Sequence, residues 1–221
     1  MAECIMDLVK LKLTNRGIII MLPKHKYNSR DISIENQEKV FSGFFKMLRV
    51  TLRHKLFSGE WSKPIKRELF ERGSAVGVLL YDPVHKLIGL VEQFRIGALG
   101  DKSSPWLYEV VAGMVDPDES FEQAALREIQ EEVGINKVQL HPICQYWVSP
   151  GGTNERMHLY CGITNLLGLD GELGMNEQSE DIFLHIVPQD DIPLYMKAGQ
   201  CDNAATTISL MWLQKNFDDF I

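Results

Sequence analysis

Between Gly113 and Ile135 the chain reads GMVDPDESFEQAALREIQEEVGI, and several of its carboxylates are spaced to meet. Glu128 and Glu132 are four residues apart and Glu131 is three from Glu128, so on a helix all three share a face. Carboxylates crowded together repel one another and need a counter-charge. Arg127, four residues before Glu131, is one internal partner. A divalent cation is the other natural answer, because Mg2+ favours a few carboxylate oxygens together with waters and substrate phosphates. The pattern therefore points to metal-assisted chemistry on a phosphate-bearing ligand. Taken alone, Glu-x-x-Glu-Glu is also the pattern of a solvated surface helix, so its context decides.

The elements that must hold these groups are legible nearby. Ser120 can accept a hydrogen bond from a first-turn N–H, and Gln123 three residues later completes a capping box. Phe121, Ala125, Ile129 and Val133 recur every four residues as one apolar stripe. Gly134 supplies a residue suited to positive φ, which commonly ends a helix. The spacing predicts a helix over 121–133 whose acidic face borders its buried stripe. The loop Met114–Glu119, with Asp116, Pro117 and Asp118, precedes the helix and leaves room for a ligand.

These residues fill, without departure, the Nudix box G-x5-E-x7-R-E-U-x-E-E-x-G-U, where U is aliphatic: Gly113, Glu119, Arg127, Glu128, Ile129, Glu131, Glu132, Gly134 and Ile135. The chain thus resembles the Nudix hydrolase family, on a motif with far more fixed positions than a lone glycine fingerprint.

Length and composition set the frame. The 221 residues suffice for one large domain or one domain with a smaller companion, and 45% hydrophobic content is ordinary for a globular chain. A net charge of −7 argues against a general binder of nucleic acid or anionic membrane. No apolar run reaches the roughly 18 residues of a membrane span, and the N-terminus lacks the apolar core of a signal peptide, so a cytoplasmic protein is expected. Cys4, Cys144, Cys161 and Cys201 are scattered, with no C-x-x-C pair and no Cys/His cluster for zinc. They read as reduced structural residues, and His25, His54, His85, His141, His158 and His185 form no spaced pair.

Along the chain, residues 36–70 read as antiparallel ribbon: strands over Val40–Phe45, Met47–Leu56 and Lys66–Phe70, with a turn at Ser58–Gly59. A ribbon alone exposes an edge and calls for a partner. From Ser74 the pattern is mixed: strands at Ala75–Tyr81, Leu87–Val91, Leu107–Ala112, Val138–Val148, Met157–Ile163 and Ile182–Val187. Helices are expected at Ile192–Ala198 and Ala204–Phe217, the latter with Ile208, Met211, Trp212 and Lys215 at helical spacing.

The resemblance extends beyond the box. Pro150, in the loop Ser149–Pro150–Gly151–Gly152–Thr153–Asn154–Glu155–Arg156, lies 15 residues past Ile135, a placement similar to that in ADP-ribose pyrophosphatases within the family. Lys66–Gly73, Glu92–Arg95, Trp106–Met114 and Asp202–Ala205 also look like that subfamily, so the likeness spans about residues 38–215. It implies a set of roles. Glu128 and Glu132 match the main metal-binding carboxylates, Glu131 a further box carboxylate, and Ala112 a position whose carbonyl ligates metal. Arg67 and Arg95 match arginines that grip the substrate's phosphates and ribose. Glu155 matches a glutamate of the substrate-side loop, Glu109 a residue near the terminal ribose, and Met114 a further substrate-side position. Glu180, in the acidic loop Asn176–Asp181, matches another metal ligand. The catalytic-base position of that loop falls on Gln178, which cannot accept a proton; Glu177 and Glu180 are the two candidates to replace it.

The resemblance implies an α/β (α+β) protein: an α/β/α sandwich around a mixed sheet, residues 73–221, preceded by a small N-terminal antiparallel β domain, residues 1–72, that serves dimerisation by swapping strands. It implies hydrolysis of ADP-ribose to AMP and ribose 5-phosphate with two or three Mg2+ per site, Mn2+ being a substitute. Two alternatives stay open: hydrolysis of another nucleoside diphosphate sugar such as GDP-mannose or ADP-glucose, or a catalytically weak ADP-ribose-binding sensor.

Overall fold

The computed structural model describes residues 11–14, 17–20, 22–100, 103–175 and 181–220. Cys4, Glu177, Gln178 and Glu180 lie outside the described residues. The chain divides into two compact units, Met1–Leu69 and Phe70–Ile221.

In the first unit, β1 (Leu11–Thr14) and β2 (Gly17–Ile20) form an antiparallel pair. A separate three-stranded sheet has the order β3 (Ile32–Ser42), β4 (Lys46–His54) and β5 (Ile65–Glu71). The structure corrects the strand expected at Val40–Phe45. The strand starts at Ile32 and ends at Ser42, and the chain then turns, the Gly43 N–H donating to the Phe45 carbonyl at 2.9 Å. The alternation of apolar residues is obscured because the β3–β4 register slips twice, between Ile34 and Asn36 and between Lys39 and Phe41. Each slip inserts a residue and flips the side chains that follow to the other face.

The second unit is built on an eight-stranded mixed sheet. Its strands are β6 (Ser74–Asp82), β7 (Leu87–Phe94), β8 (Trp106–Glu109), β9 (Val111–Met114), β10 (Gln139–Trp147), β11 (Arg156–Ile163), β12 (Gly171–Met175) and β13 (Asp181–Pro188). The order is β10-β11-β6-β7-β13-β12, with β8 beside β7 and β9 beside β6. Only the β11–β6 pairing is parallel among those described. Strands β6 and β7 pair with each other only over Leu80–Asp82 and Leu87–Gly89. Beyond that stretch each takes a new neighbour, β9 for β6 and β8 for β7. For this reason the single strand expected over Leu107–Ala112 is two strands broken at Val110.

Helix α1 (Phe121–Val133) covers one face of the sheet, and α2 (Ile192–Lys197) with α3 (Ala204–Asn216) covers the other. The central strand β6 is buried on both faces. Val76, Val78 and Leu80 pack with Ala124, Ala125, Ile129 and Val133 of α1, while Leu79 and Tyr81 pack with Ile192, Leu210 and Leu213. This is the alternation of a strand sandwiched between helices, and each such buried aliphatic side chain contributes about 1.5–3 kcal/mol. The α/β/α expectation is met. On α3 the inward stripe differs from the one expected. It runs through Thr206, Ser209, Leu210 and Leu213, whereas Met211 is exposed. Two polar residues on the buried face hide its periodicity. The thiols of Cys161 and Cys201 are free, and burial pushes them up to about 12 and about 11, so they stay protonated. Among the described residues no helix is long and apolar enough to cross a membrane.

The turn from β6 to β7 is organised by Asp82, which is buried. Its Oδ1 accepts from the N–H groups of Val84 and His85 at 3.0 Å, and its Oδ2 accepts from the Leu166 N–H at 2.9 Å and lies 2.8 Å from His85 Nδ1. One carboxylate thus ties the turn to the segment after β11. Burial raises its pKa, but the Leu166 N–H and the imidazole and N–H of His85 outweigh that and hold it below its ordinary 3.8. A depressed carboxyl pKa stabilises the fold above 3.8 and loses that contribution as pH falls through the folded value. Asp82→Asn is expected to cost about 2–3 kcal/mol at pH 7. In urea unfolding from pH 7 to pH 3 the gap between wild type and variant should narrow on acidification; a gap independent of pH would contradict this role.

Candidate functional site

Helix α1 begins as its sequence dictates. Ser120 Oγ accepts from the Gln123 N–H at 3.2 Å, Gln123 Oε1 accepts from the Ser120 N–H at 2.8 Å, and Gly134 closes the helix at φ +68°. With Ala124, Ala125, Ile129 and Val133 turned into the core, the helical rotation carries Glu128 and Glu132 to the edge of that core beside β9. Glu132 is only 4% exposed, and its Oε2 accepts the Ala112 N–H at 3.3 Å. Glu128 lies against the backbone of Gly113: a Cβ there would come within 1.8 Å of Glu128 Oε1. A glycine stands at 113 because the carboxylate occupies the space a side chain would need.

Arg127 is the counter-charge. Its Nε and Nη2 donate to the two oxygens of Glu119 at 3.2 and 2.7 Å, a forked pair. Its Nη1 donates to Glu128 at 2.8 Å and Glu131 at 3.0 Å, and Nη2 also donates to the Met114 carbonyl at 3.0 Å. The bond to Glu119 is the main cause that raises the Arg127 pKa; burial opposes it, and Glu128 and Glu131 add to it. In return the Arg127 bond holds the Glu119 carboxyl below its ordinary range, helped by the Asp116 N–H. Glu131 was the partner read from spacing. Glu119 is the one that spacing along a helix could not reveal, since it lies in the preceding loop, and its pairing folds Met114–Glu119 back onto α1.

A second pair lies on the same face of the sheet. Glu109 of β8 stands opposite Val91, a member of the core beneath α1, so its side chain emerges on the α1 side. Arg95, just past β7, donates from Nε to Glu109 Oε2 at 2.5 Å. Glu155 is held elsewhere in this unit, 3.4 Å from Arg72 Nη1. Its loop is stapled to the chain before β6: Asn154 Oδ1 accepts the Arg72 and Gly73 N–H groups at 2.8 and 3.2 Å, and Phe70 N–H donates to Gly152 O at 2.8 Å. Arg67 belongs to the first unit, where its Nη1 donates to the Lys66 carbonyl at 2.8 Å.

The structure therefore brings Ala112, Met114, Glu128, Glu131 and Glu132 to one corner and places Arg95 and Glu109 on the same sheet face. Among the described residues no three His, Cys, Asp or Glu side chains converge on one point as a ready metal cage. Glu119, Glu128 and Glu131 are drawn to Arg127, and Glu132 to a backbone N–H. The donors present, carboxylates beside a strand carbonyl, are the hard oxygen ligands that a small divalent cation takes. One guanidinium facing three carboxylates is a charge ratio that such a cation would correct. Arg127→Ala would leave those carboxylates to repel one another and is expected to cost about 2–4 kcal/mol. Arg127→Lys should recover only part of the loss, because an ammonium cannot make the forked pair with Glu119. Denaturant unfolding of the three proteins checks this, and equal stability of wild type and Arg127→Ala would refute it.

Comparison with known proteins agrees with this geometry. Residues 71–204 match the family model described as the NUDIX domain. The chain is 38% identical over 188 residues to the ADP-ribose pyrophosphatase of Escherichia coli strain K12, covering 85% of this chain and 90% of that one. It is 40% identical over 194 residues to the ADP-ribose pyrophosphatase of Haemophilus influenzae, covering 86% and 89%. A GDP-mannose pyrophosphatase of Salmonella typhimurium is 26% identical over 190 residues, covering 84% and 96%. Among solved structures, one described as an ADP compounds hydrolase superposes with a TM-score of 0.60 at 19% identity, over 86% of this chain and 98% of that one, a likeness of fold. The matched span contains the strands and the helix that bring Gly113, Arg127 and the α1 carboxylates together, and the chain belongs to the Nudix family.

Proposed function

We propose that this protein is a Nudix hydrolase that cleaves the pyrophosphate bond of ADP-ribose, giving AMP and ribose 5-phosphate. The observation that carries the reading is the 38–40% identity to ADP-ribose pyrophosphatases over 85–86% of the chain, against 26% for the GDP-mannose pyrophosphatase. Nudix ADP-ribose pyrophosphatases generally use divalent metal ions. In this chain Glu128, Glu132, the Ala112 carbonyl and Glu180 would hold them, with Glu131 as a further carboxylate at their side. A cation bound there, Mg2+ or in its place Mn2+, supplies a Lewis acid that activates water and offsets charge on the diphosphate.

The chain's own groups do the rest. Arg95, and Arg67 from the N-terminal region, grip the diphosphate through paired hydrogen bonds. Glu109 lies toward the terminal ribose, Met114 is a further substrate-binding residue, and Glu155 belongs to the substrate-side loop. Glu177 or Glu180 takes the proton of the attacking water, since an amide at Gln178 cannot. The new P–O bond forms as the bridging P–O bond breaks, and the second phosphate leaves.

The region 1–72 serves to join two copies into a homodimer with exchanged N-terminal strands. What supports this is the character of β3: every residue is exposed, and Ile34 and Phe41 remain 60% and 62% accessible, more apolar surface than a lone edge strand usually shows. A cytoplasmic location goes with this reading.

Purified protein incubated with ADP-ribose and Mg2+ should yield AMP and ribose 5-phosphate by chromatography, faster than it cleaves GDP-mannose or ADP-glucose. Preference for another nucleotide sugar would reassign the substrate. Calorimetric binding of ADP-ribose without product would make the protein a sensor. Glu132→Gln keeps an acceptor for the Ala112 N–H, so its melting temperature should stay close to wild type while turnover falls by about a hundredfold or more; near-normal kinetics would refute the metal-ligand role. Light scattering should give twice the chain mass for wild type and the single mass for the Ile34→Lys, Phe41→Lys variant. A monomeric wild type would remove the dimer from the proposal.

A further inference from the structure

We infer that Asn203 and Thr206, at the start of α3, are positioning residues for substrate binding, acting through the backbone on either side of Glu109. The inference rests on the proposed hydrolysis of ADP-ribose and on Glu109 facing its sugar side.

The starting point is the break at Val110. Strand β8 ends at Glu109 with β7 as its neighbour, and β9 begins at Val111 with β6 as its neighbour, so Val110 itself belongs to neither ladder. Val110 is 1% exposed, and a buried backbone group outside a ladder needs another partner. That partner comes from α3. Thr206 Oγ1 accepts the Val110 N–H at 3.1 Å and lies 3.4 Å from the Tyr108 carbonyl, to which it is the donor. Asn203 Nδ2 donates to the same carbonyl at 2.8 Å. Asn203 also caps α3, its Oδ1 accepting the Thr206 N–H at 3.0 Å. The two side chains therefore brace one another while gripping the strand.

The gripped groups flank Glu109. Tyr108 and Val110 turn their side chains toward the α2–α3 core, and Glu109 turns to the opposite face, where it meets Arg95. Thr206 is fully buried and touches no part of the α1 corner in any described hydrogen bond, yet it sets the height of the peptide from which Glu109 projects. A hydroxyl is needed because it accepts from one side of Glu109 and donates to the other, which an apolar side chain of the same shape cannot do. The segment Asp202–Asn203–Ala204–Ala205 thereby acquires a role that its composition alone did not suggest.

The test separates positioning from stability. Asn203→Ser keeps a side-chain oxygen that can cap the helix and drops the bond to Tyr108 O. Thr206→Val removes the hydroxyl with little change in shape, and Thr206→Ser restores it. With ADP-ribose as substrate, Asn203→Ser and Thr206→Val are expected to raise KM about five- to tenfold with a smaller change in kcat, and Thr206→Ser to stay within about twofold of wild type. The melting temperature of Asn203→Ser should remain near that of wild type. In a Glu109→Gln background, Asn203→Ser should add little further to KM, since it acts through Glu109. Unchanged KM in Asn203→Ser, or full additivity with Glu109→Gln, would overturn the inference. Failure of the wild type itself to hydrolyse ADP-ribose would overturn the proposed function beneath it.

Discussion

The candidate site depends on a conflict between charge and burial. Helix α1 has to dock an apolar stripe on the sheet and, along the border of that stripe, keep carboxylates close enough to act together. Arg127 is what allows both. Its guanidinium binds Glu119, Glu128 and Glu131 at once and adds the Met114 carbonyl, so it neutralises part of the repulsion, anchors the preceding loop and orients the helix edge. A lysine in the same place would offer a point charge and no fork. The planar geometry of arginine is what lets one residue organise loop and helix together.

That corner is useful only if the sheet presents the right backbone to it, and the splaying of β6 from β7 does so. Two short strands fill the gap, β8 against β7 and β9 against β6. The first carries Glu109 to the α1 face; the second lays Ala112 and Gly113 directly under Glu132 and Glu128. The space under Glu128 exists because residue 113 has no side chain. The break between the two strands is held from the other face by α3, whose Asn203 and Thr206 bond the two peptide groups that flank Glu109. Each of these bonds joins groups that burial would otherwise leave unsatisfied.

The remaining residues implied by family resemblance fall into separate neighbourhoods. Glu155 sits in a loop fastened to the chain before β6 through Asn154, with Arg72 as its cationic neighbour. Arg67 is carried by the sheet of the first unit, whose strand β3 is exposed along its whole length. A strand rich in Ile, Val and Phe on an open face is a surface suited to a second copy of the chain, which agrees with the proposed role of the N-terminal region.

Several features could be read from neighbouring residues alone. The capping box at Ser120, the four-residue stripe of α1, the glycine stop at 134 and the shared face of Glu128, Glu131 and Glu132 all depend on interactions within a few residues, and each stands where the spacing put it. The turn at Ser58–Gly59 and the buried run of β6 are legible for the same reason. Other features were not. The strand at Ile32–Ser42 is obscured by two bulges that shift its alternation, the Trp106–Met114 tract is divided by the divergence of its two neighbours, and the inward face of α3 is hidden by two buried polar residues, Ser209 and Thr206, the latter bonded to the backbone of Tyr108 and Val110. The pairing of Arg127 with Glu119, the close approach of Glu128 to Gly113 and the grip of Asn203 and Thr206 on the peptide of Glu109 join residues whose meeting depends on which strands become neighbours. Helical periodicity and capping are settled by local backbone geometry, so the sequence by itself determined the acidic face of α1 and its boundaries. Which backbone that face opposes, and which buried groups must find partners from afar, only the tertiary structure decided, because strand order and the satisfaction of buried hydrogen bonds are properties of the assembled sheet.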